Sequence, residues 1–214
     1  MDNDILHKTT AYGLLDKVLD VAIAHEEIYG ILGAAKYIVP KKLKKHLKVR
    51  DYETVMVEFN TSINKLEIIE PSEQEVALAA HFEFEAQRLN LEFDDGESQL
   101  CAILLSRKLR RVITGDKRAI NAAEMLINNN HIPDEISFKL VCLEQILQWL
   151  INEYGIEIIR GGICLEKSLD KAMSYCFSCS SPETTIESCL EGLESYIADL
   201  RHSAPITLAP DFSF

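Results

Sequence analysis

No stretch of the 214 residues stays apolar for the roughly 18 positions that a membrane-spanning helix needs, so no membrane span is expected. The opening residues Met1-Asp2-Asn3-Asp4 put acids where a secretory signal carries bases, which points to a cytoplasmic protein. GxxxxGKS/T and GxGxxG are both absent, which removes the common nucleotide cradles. GxSxG and HExxH are also missing, so neither a serine-hydrolase elbow nor a zinc-hydrolase helix has a candidate. Six cysteines without a secretory signal suggest reduced thiols rather than a disulfide framework. There is no internal repeat and no low-complexity tract. Apolar residues still make up 47% of the chain, enough for a substantial core.

Basic residues are the minority charge, 22 against 34 acids, for a net charge of −12. That balance argues against a general nucleic-acid coat, because phosphate repels acid. The bases are nevertheless gathered. Residues 41–50, 107–111 and 117–118 hold 12 of the 22, whereas residues 67–97 carry ten acids against the lone Arg88. This clustering makes Lys41, Lys42, Lys44, Lys45 and Lys48 candidates for contact with a nucleic-acid backbone. Arg107, Lys108, Arg110, Arg111, Lys117 and Arg118 join them. A solvated helix face or an acidic protein partner would account for the same runs.

Periodicity alternates between strand and helix. Residues 1–6 read as the remnant of a strand, and a helix runs from about Thr10, with Leu14, Leu15, Val18, Leu19, Ala22 and Ile23 as its stripe. Gly30 and Gly33 loosen its end. Residues 37–40 read as a short strand leading into a helical basic segment, and residues 54–59 and 65–70 are β-rich. Residues 72–90 form a helix with a capping box at Ser72 and Glu75 and a stripe of Val76, Ala80 and Phe84. A helix then begins near Asp94-Asp95-Gly96. Residues 111–114 and 138–143 read as strands, each followed by a helix. The pattern predicts an α/β domain with a parallel sheet over residues 1–155. A mainly helical extension over 156–214 follows, best supported at 184–200, where Ile186, Leu190, Leu193 and Ile197 share a face.

Three acids stand out by position. Asp2 lies where the first strand should meet its helix, Glu97 in the first turn of a helix, and Asp116 after the strand at 111–114, behind a glycine. Carboxyl ends of parallel strands surround one crevice. Carboxylates gathered there repel one another unless a cation neutralises them, and Mg²⁺ or Mn²⁺ suits oxygen ligands. Such ions activate water and stabilise the leaving oxygen of a phosphodiester.

The segments DNDIL, DDGESQLCAILL and VITGDKRAI together resemble the pattern of PIN-domain nucleases over roughly residues 1–150. The resemblance implies a PIN-like α/β/α sandwich and a metal-dependent phosphodiesterase acting on RNA before DNA. It further implies the toxin of a toxin–antitoxin pair or a defence-system component, an antitoxin partner and a homo-oligomer. Carried over residue by residue, Asp2, Glu97 and Asp116 are its catalytic, metal-holding acids, with Asp4 in support. Glu144, at the end of the strand at 138–143, is a further candidate for the ion. Two departures favour a competing reading, a catalytically weak or inactive protein that binds or regulates. Only Met1 precedes Asp2, and the basic run KKLKKHL stands where many members carry an acid.

Two other readings are weaker. The spacing Asp2-Asn3-Asp4 also resembles a haloacid-dehalogenase phosphatase, but Ile120 occupies the place of that family's last acid. Cys176 and Cys179 form a single CxxC, with Cys164, Cys189 and His202 outside it, short of the paired spacing that structural zinc requires.

Overall fold

A computed structural model describes residues 1–24 and 29–211, with side chains omitted at 21–24. The side chains of the predicted stripe residues Ala22 and Ile23, the whole of His25 and the last three residues of the tail fall outside what is described. Helices dominate: α1 (Asn3–Ala11), α2 (Leu15–Ala24), α3 (Ala35–His46), α4 (Tyr52–Ile63), α5 (Glu73–Arg88) and α6 (Asp95–Ser106) occupy the first half. The second half holds α7 (Lys117–Asn128), α8 (Leu143–Tyr154), α9 (Ile156–Leu165), α10 (Lys171–Cys176) and α11 (Ile186–Ser203). Among the described residues four short strands, β1 (Gly30–Leu32), β2 (Glu67–Ile69), β3 (Val112–Ile113) and β4 (Leu140–Val141), pair in parallel as β1–β2 and β3–β4.

This corrects the expected α/β/α sandwich built on a central parallel sheet. The described protein is mainly helical and carries two separate two-stranded sheets. The physical reason lies at the chain start. The strand read over residues 1–6 does not form, because Asp2 caps α1 by accepting the Ile5 N–H at 2.8 Å and the chain is helical from Asn3. Met1 and Asp2 bond one sheet each, the Met1 nitrogen to the Gly30 carbonyl at 2.8 Å and the Asp2 N–H to the Ile113 carbonyl at 3.0 Å.

Two further elements differ from the sequence reading. The short strand expected at 37–40 lies inside α3, where Ala35, Val39 and Leu43 recur every four residues and are buried. Pro40 removes one helical bond there, to the carbonyl of the exposed Lys36. The β-rich run at 54–59 is the helix α4, capped by Asp51 through the Thr54 N–H at 2.9 Å and buried along Val55, Phe59 and Ser62. A cap and a packed stripe outweigh the β-propensity of Val55, Val57 and Phe59. The single helix expected from Thr10 is two, parted at Gly13, whose φ of +68° suits glycine. At Gly30, the first residue of β1, glycine leaves room for Ile69, whose Cδ1 would lie 2.1 Å from an added Cβ.

The α5 capping box is present, with Ser72 and Glu75 bonded reciprocally. Its buried face differs: Glu75, Ala79, Phe82, Glu85 and Ala86 point inward, while Val76 and Phe84 are exposed. A strict four-residue repeat drifts by about 40° per step, whereas the 75-79-82-86 spacing holds one face.

One apolar cluster joins Met1, α1–α4 and α8–α11, and a second joins α5–α7 with the tail. The stripe of α11 serves both, since Cys189 and Leu193 belong to the first and Ile197 and Leu200 to the second. The expectation of reduced thiols is corrected at one pair: Cys164 and Cys179 form a disulfide, tying α9 to the loop after α10. Cys176 is a free buried thiol, so the CxxC pair acts as no unit. No helix among the described residues is long and apolar enough to cross a membrane.

Candidate functional site

The strands β1 and β3 and the chain start all lead into one cleft of about 740 Å³. Asp2, Asp4, Asp94, Asp95, Glu97 and Asp116 line it, with Lys8, Lys42 and Arg118 as the opposing charges. Each acid comes from the start of a helix. Asp2 caps α1, Asp94 caps α6 and Asp116 caps α7, so carboxylates stand where helix N-termini offer N–H groups and a favourable dipole.

Asp2 is the most enclosed. Its Oδ1 accepts the Ile5 N–H, and its Oδ2 accepts the Thr114 hydroxyl at 2.6 Å and the Gly115 N–H at 3.1 Å. Burial pushes its pKa above the ordinary aspartate value, opposed by those three donors and reinforced by the Asp4 charge. Asp4 sits in the first turn of α1 and pairs with Lys8 Nζ at 2.9 Å. The same ammonium reaches Asp170 at 2.8 Å, so the cleft is tied to the cap of α10. Gly115 permits this crowding: a methyl there would lie 2.3 Å from Asp4 Oδ2.

Asp94 accepts the N–H groups of Gly96 at 2.9 Å and Glu97 at 3.2 Å. Burial raises its pKa, the Gly96 bond offsets part of that, and the Asp116 charge adds to the rise. Asp116 is the counterexample. Burial works against its charge, but Arg118 grips it through Nε at 3.1 Å, Nη2 at 2.8 Å and its own N–H at 2.8 Å, holding its pKa below the usual range. Arg118 also pairs with Glu92. Glu97 lines the cleft half-buried.

The predicted residues therefore divide by place. Asp2, Asp4, Glu97 and Asp116 share the cleft, together with Lys42 and Arg118 from the predicted basic set. Glu144 does not line it: buried on α8, it takes Lys117 Nζ at 2.5 Å, and that ammonium lies 4.1 Å from the centre of the Tyr196 ring. Arg107 is bound to Glu75 at 2.7 Å and to the Glu70 carbonyl. Arg110 and Arg111 line a different cavity, and Lys108 is exposed beyond α6. Lys41, Lys44, Lys45 and Lys48 are exposed on and after α3, whose Ile38 and Lys42 reach the cleft. Sequence reasoning missed Asp94 and Lys8. The spacing Asp94 to Glu97, a cap and its third residue, was the available signal for the first, and the four-residue spacing of Asp4 and Lys8 for the second.

In donor chemistry these carboxylates fit a hard divalent cation. In arrangement, among the described residues no group of three or more His, Cys, Asp or Glu side chains is gathered so as to hold a metal ion. Lys8 and Arg118 supply the neutralising charge instead. Comparison of the chain with protein-family models, with curated proteins and with solved structures finds no match in any of the three.

Proposed function

We propose that the acidic cleft is the active site of a phosphodiesterase acting on RNA in preference to DNA, with Mg²⁺ or Mn²⁺ held by Asp2, Glu97 and Asp116. The observation that carries this is the convergence of carboxylates from three remote segments on one cleft that also exposes Lys42 and Arg118. A bound ion would supply charge to neutralise the acids and a more acidic water as nucleophile. The chain's own residues have separate tasks. Asp94 and Asp2 fix the two helix starts, Gly115 keeps the floor open, and Asp4 is steadied by Lys8. Lys42 and the lysines of α3 draw the anionic strand to the rim, an attraction that weakens with salt. Arg118 must release part of its hold on Asp116 for that carboxylate to serve an ion, and its guanidinium is then free to meet a phosphate oxygen.

A non-catalytic binding protein is the second reading, and one observation favours it: Asp116 and Asp4 are already neutralised by Arg118 and Lys8. The assay is cleavage of single-stranded RNA and DNA with Mn²⁺ by the wild type and by Asp116→Asn. Cleavage lost in a variant that keeps its melting temperature supports the enzyme. Equal inertness of both proteins across substrates and metals supports the binding protein.

A further inference from the structure

Among the described residues, the aromatic side chains exposed by more than half are Tyr37, Phe84, Phe138 and Tyr175. Of these only Tyr37, 72% exposed, stands on an element that lines the cleft. Its neighbour Ile38 is exposed too and reaches the cleft itself. Packing of α3 accounts for neither, since the helix buries Ala35, Val39 and Leu43 instead.

The charge of α3 is equally one-sided, with five lysines and no acid in its 12 residues. Lys8, Arg107, Lys117 and Arg118 are each matched to a carboxylate. Lys41, Lys42, Lys44 and Lys45 form no ion pair among the described residues. The helix dipole favours Lys44 and Lys45 in the last turn, but not Lys41 and Lys42 in the middle, and like charges this close repel. At about 100° per residue, Lys44, Tyr37, Lys41, Lys45, Ile38 and Lys42 follow one another round the helix through about 160°. That arc begins on the side away from Val39 and ends at the cleft, which Ile38 and Lys42 line.

We propose that Tyr37 is a stacking platform for an unpaired base of a single strand that crosses this arc into the cleft. The inference rests on the reading of the cleft as a nucleic-acid site. Phosphates of the strand lie on Lys41, Lys45 and Lys42, which relieves the repulsion among them, and one base lies on the Tyr37 ring. An acidic peptide would use the same lysines but has no face for the ring to stack on. A duplex keeps its bases stacked on one another, so Tyr37 selects single strands.

The test is fluorescence anisotropy of the intact chain in EDTA, with labelled strands of about 12 nucleotides. The probes are an adenine-rich single-stranded RNA, the same backbone without bases, and a blunt RNA duplex. Wild type should bind the RNA strand about fivefold to 150-fold more tightly than the abasic strand, the worth of one stacked base. Tyr37→Ala should lose that margin and Tyr37→Phe should keep it. Lys41→Gln and Lys45→Gln should weaken both strands alike and flatten the salt dependence. Equal binding of RNA and abasic strands, a duplex or poly-glutamate bound as tightly as the RNA strand, or an undiminished margin in Tyr37→Ala overturns the proposal. Cleavage assays with Mn²⁺ separate it from the reading it rests on. Cleavage with the same KM by wild type and Tyr37→Ala keeps the nuclease and overturns the platform. Binding that depends on Tyr37, in a wild type that cleaves nothing, supports the platform and removes the nuclease.

Discussion

Replacing Glu166 by glutamine should destabilise the protein more than an isosteric change normally does. This buried carboxylate, 1% exposed, accepts three consecutive backbone N–H groups: Lys48 at 3.0 Å on Oε2, and Val49 at 2.8 Å and Arg50 at 2.6 Å on Oε1. The segment thus fixed ends in Arg50, whose guanidinium donates to the Thr10 and Ala11 carbonyls and to Glu58. A glutamine can keep two of the bonds with its oxygen but must then turn its amide hydrogens toward the Lys48 N–H. One charge-assisted bond is lost and a buried donor is left facing a donor, a cost of about 2–3 kcal/mol. For a chain of this size that lowers the melting temperature by roughly 4–12 °C. Glu166→Ala, which removes all three bonds, should cost more, about 4–5 kcal/mol. Urea denaturation gives the stability, and amide exchange at residues 48–50 locates the change. A glutamine variant within about 0.5 kcal/mol of wild type, with exchange at 48–50 unchanged, would refute the reasoning.

Other perturbations probe the cleft and its surroundings. Burial lowers the pKa of His7 to about 4, opposed by Asp4 and aided by His46 and Lys42. The unfolded chain then binds the extra proton between pH 6.5 and 4, so stability should fall as the pH drops through that window, by at most about 3 kcal/mol. His7→Gln should flatten that slope in urea titrations between pH 7.5 and 4.5. Glu75 is held down to about 2 by Arg107, with burial opposing and the Ser72 N–H assisting, so its contribution is present above about pH 4.5 and is lost as the pH falls through about 2. Arg107→Ala should shift the acid-unfolding midpoint upward, as read by circular dichroism. Gly115→Val should push Asp4 off its Lys8 contact and lower stability by about 1–3 kcal/mol in urea denaturation, with more local exchange at α1 than at α11. Arg118→Ala frees the Asp116 carboxylate and should tighten Mn²⁺ binding in calorimetry, and unchanged or weaker binding would count against Arg118 as the ion's competitor.

What could be read from the chain was set by local physics. The cap at Ser72, the helix start at Asp94-Asp95-Gly96 and the stripe of α11 are short-range signals, and the helix start places acids of the cleft at the N-terminus of α6. Residues 37–40 and 54–59 read as β because tyrosine, isoleucine and valine favour strands locally, while burial of Val39, Leu43, Val55 and Phe59 against distant helices decides for helix; the basic segment after residue 40 is helical as expected. The sheet was overestimated because strand pairing is a long-range property, and the four short strands form two separate parallel pairs, β1–β2 and β3–β4. Charge pairing was the least legible. Arg107, Lys117 and Arg118 look alike as a basic run, yet each is matched to a different acid, at Glu75, Glu144 and Asp116. The Cys164–Cys179 bond joins residues 15 apart that carry no spacing signature.

The central claim is that acids from remote segments meet to hold a divalent ion in the cleft. Its most direct test is the broadening of backbone amide signals by paramagnetic Mn²⁺. Broadening centred on Asn3, Gly96, Glu97, Gly115 and Arg118, and lost in Asp2→Asn and Asp116→Asn, is the expected result. Broadening that is absent at millimolar Mn²⁺, or that centres outside the cleft, would contradict it.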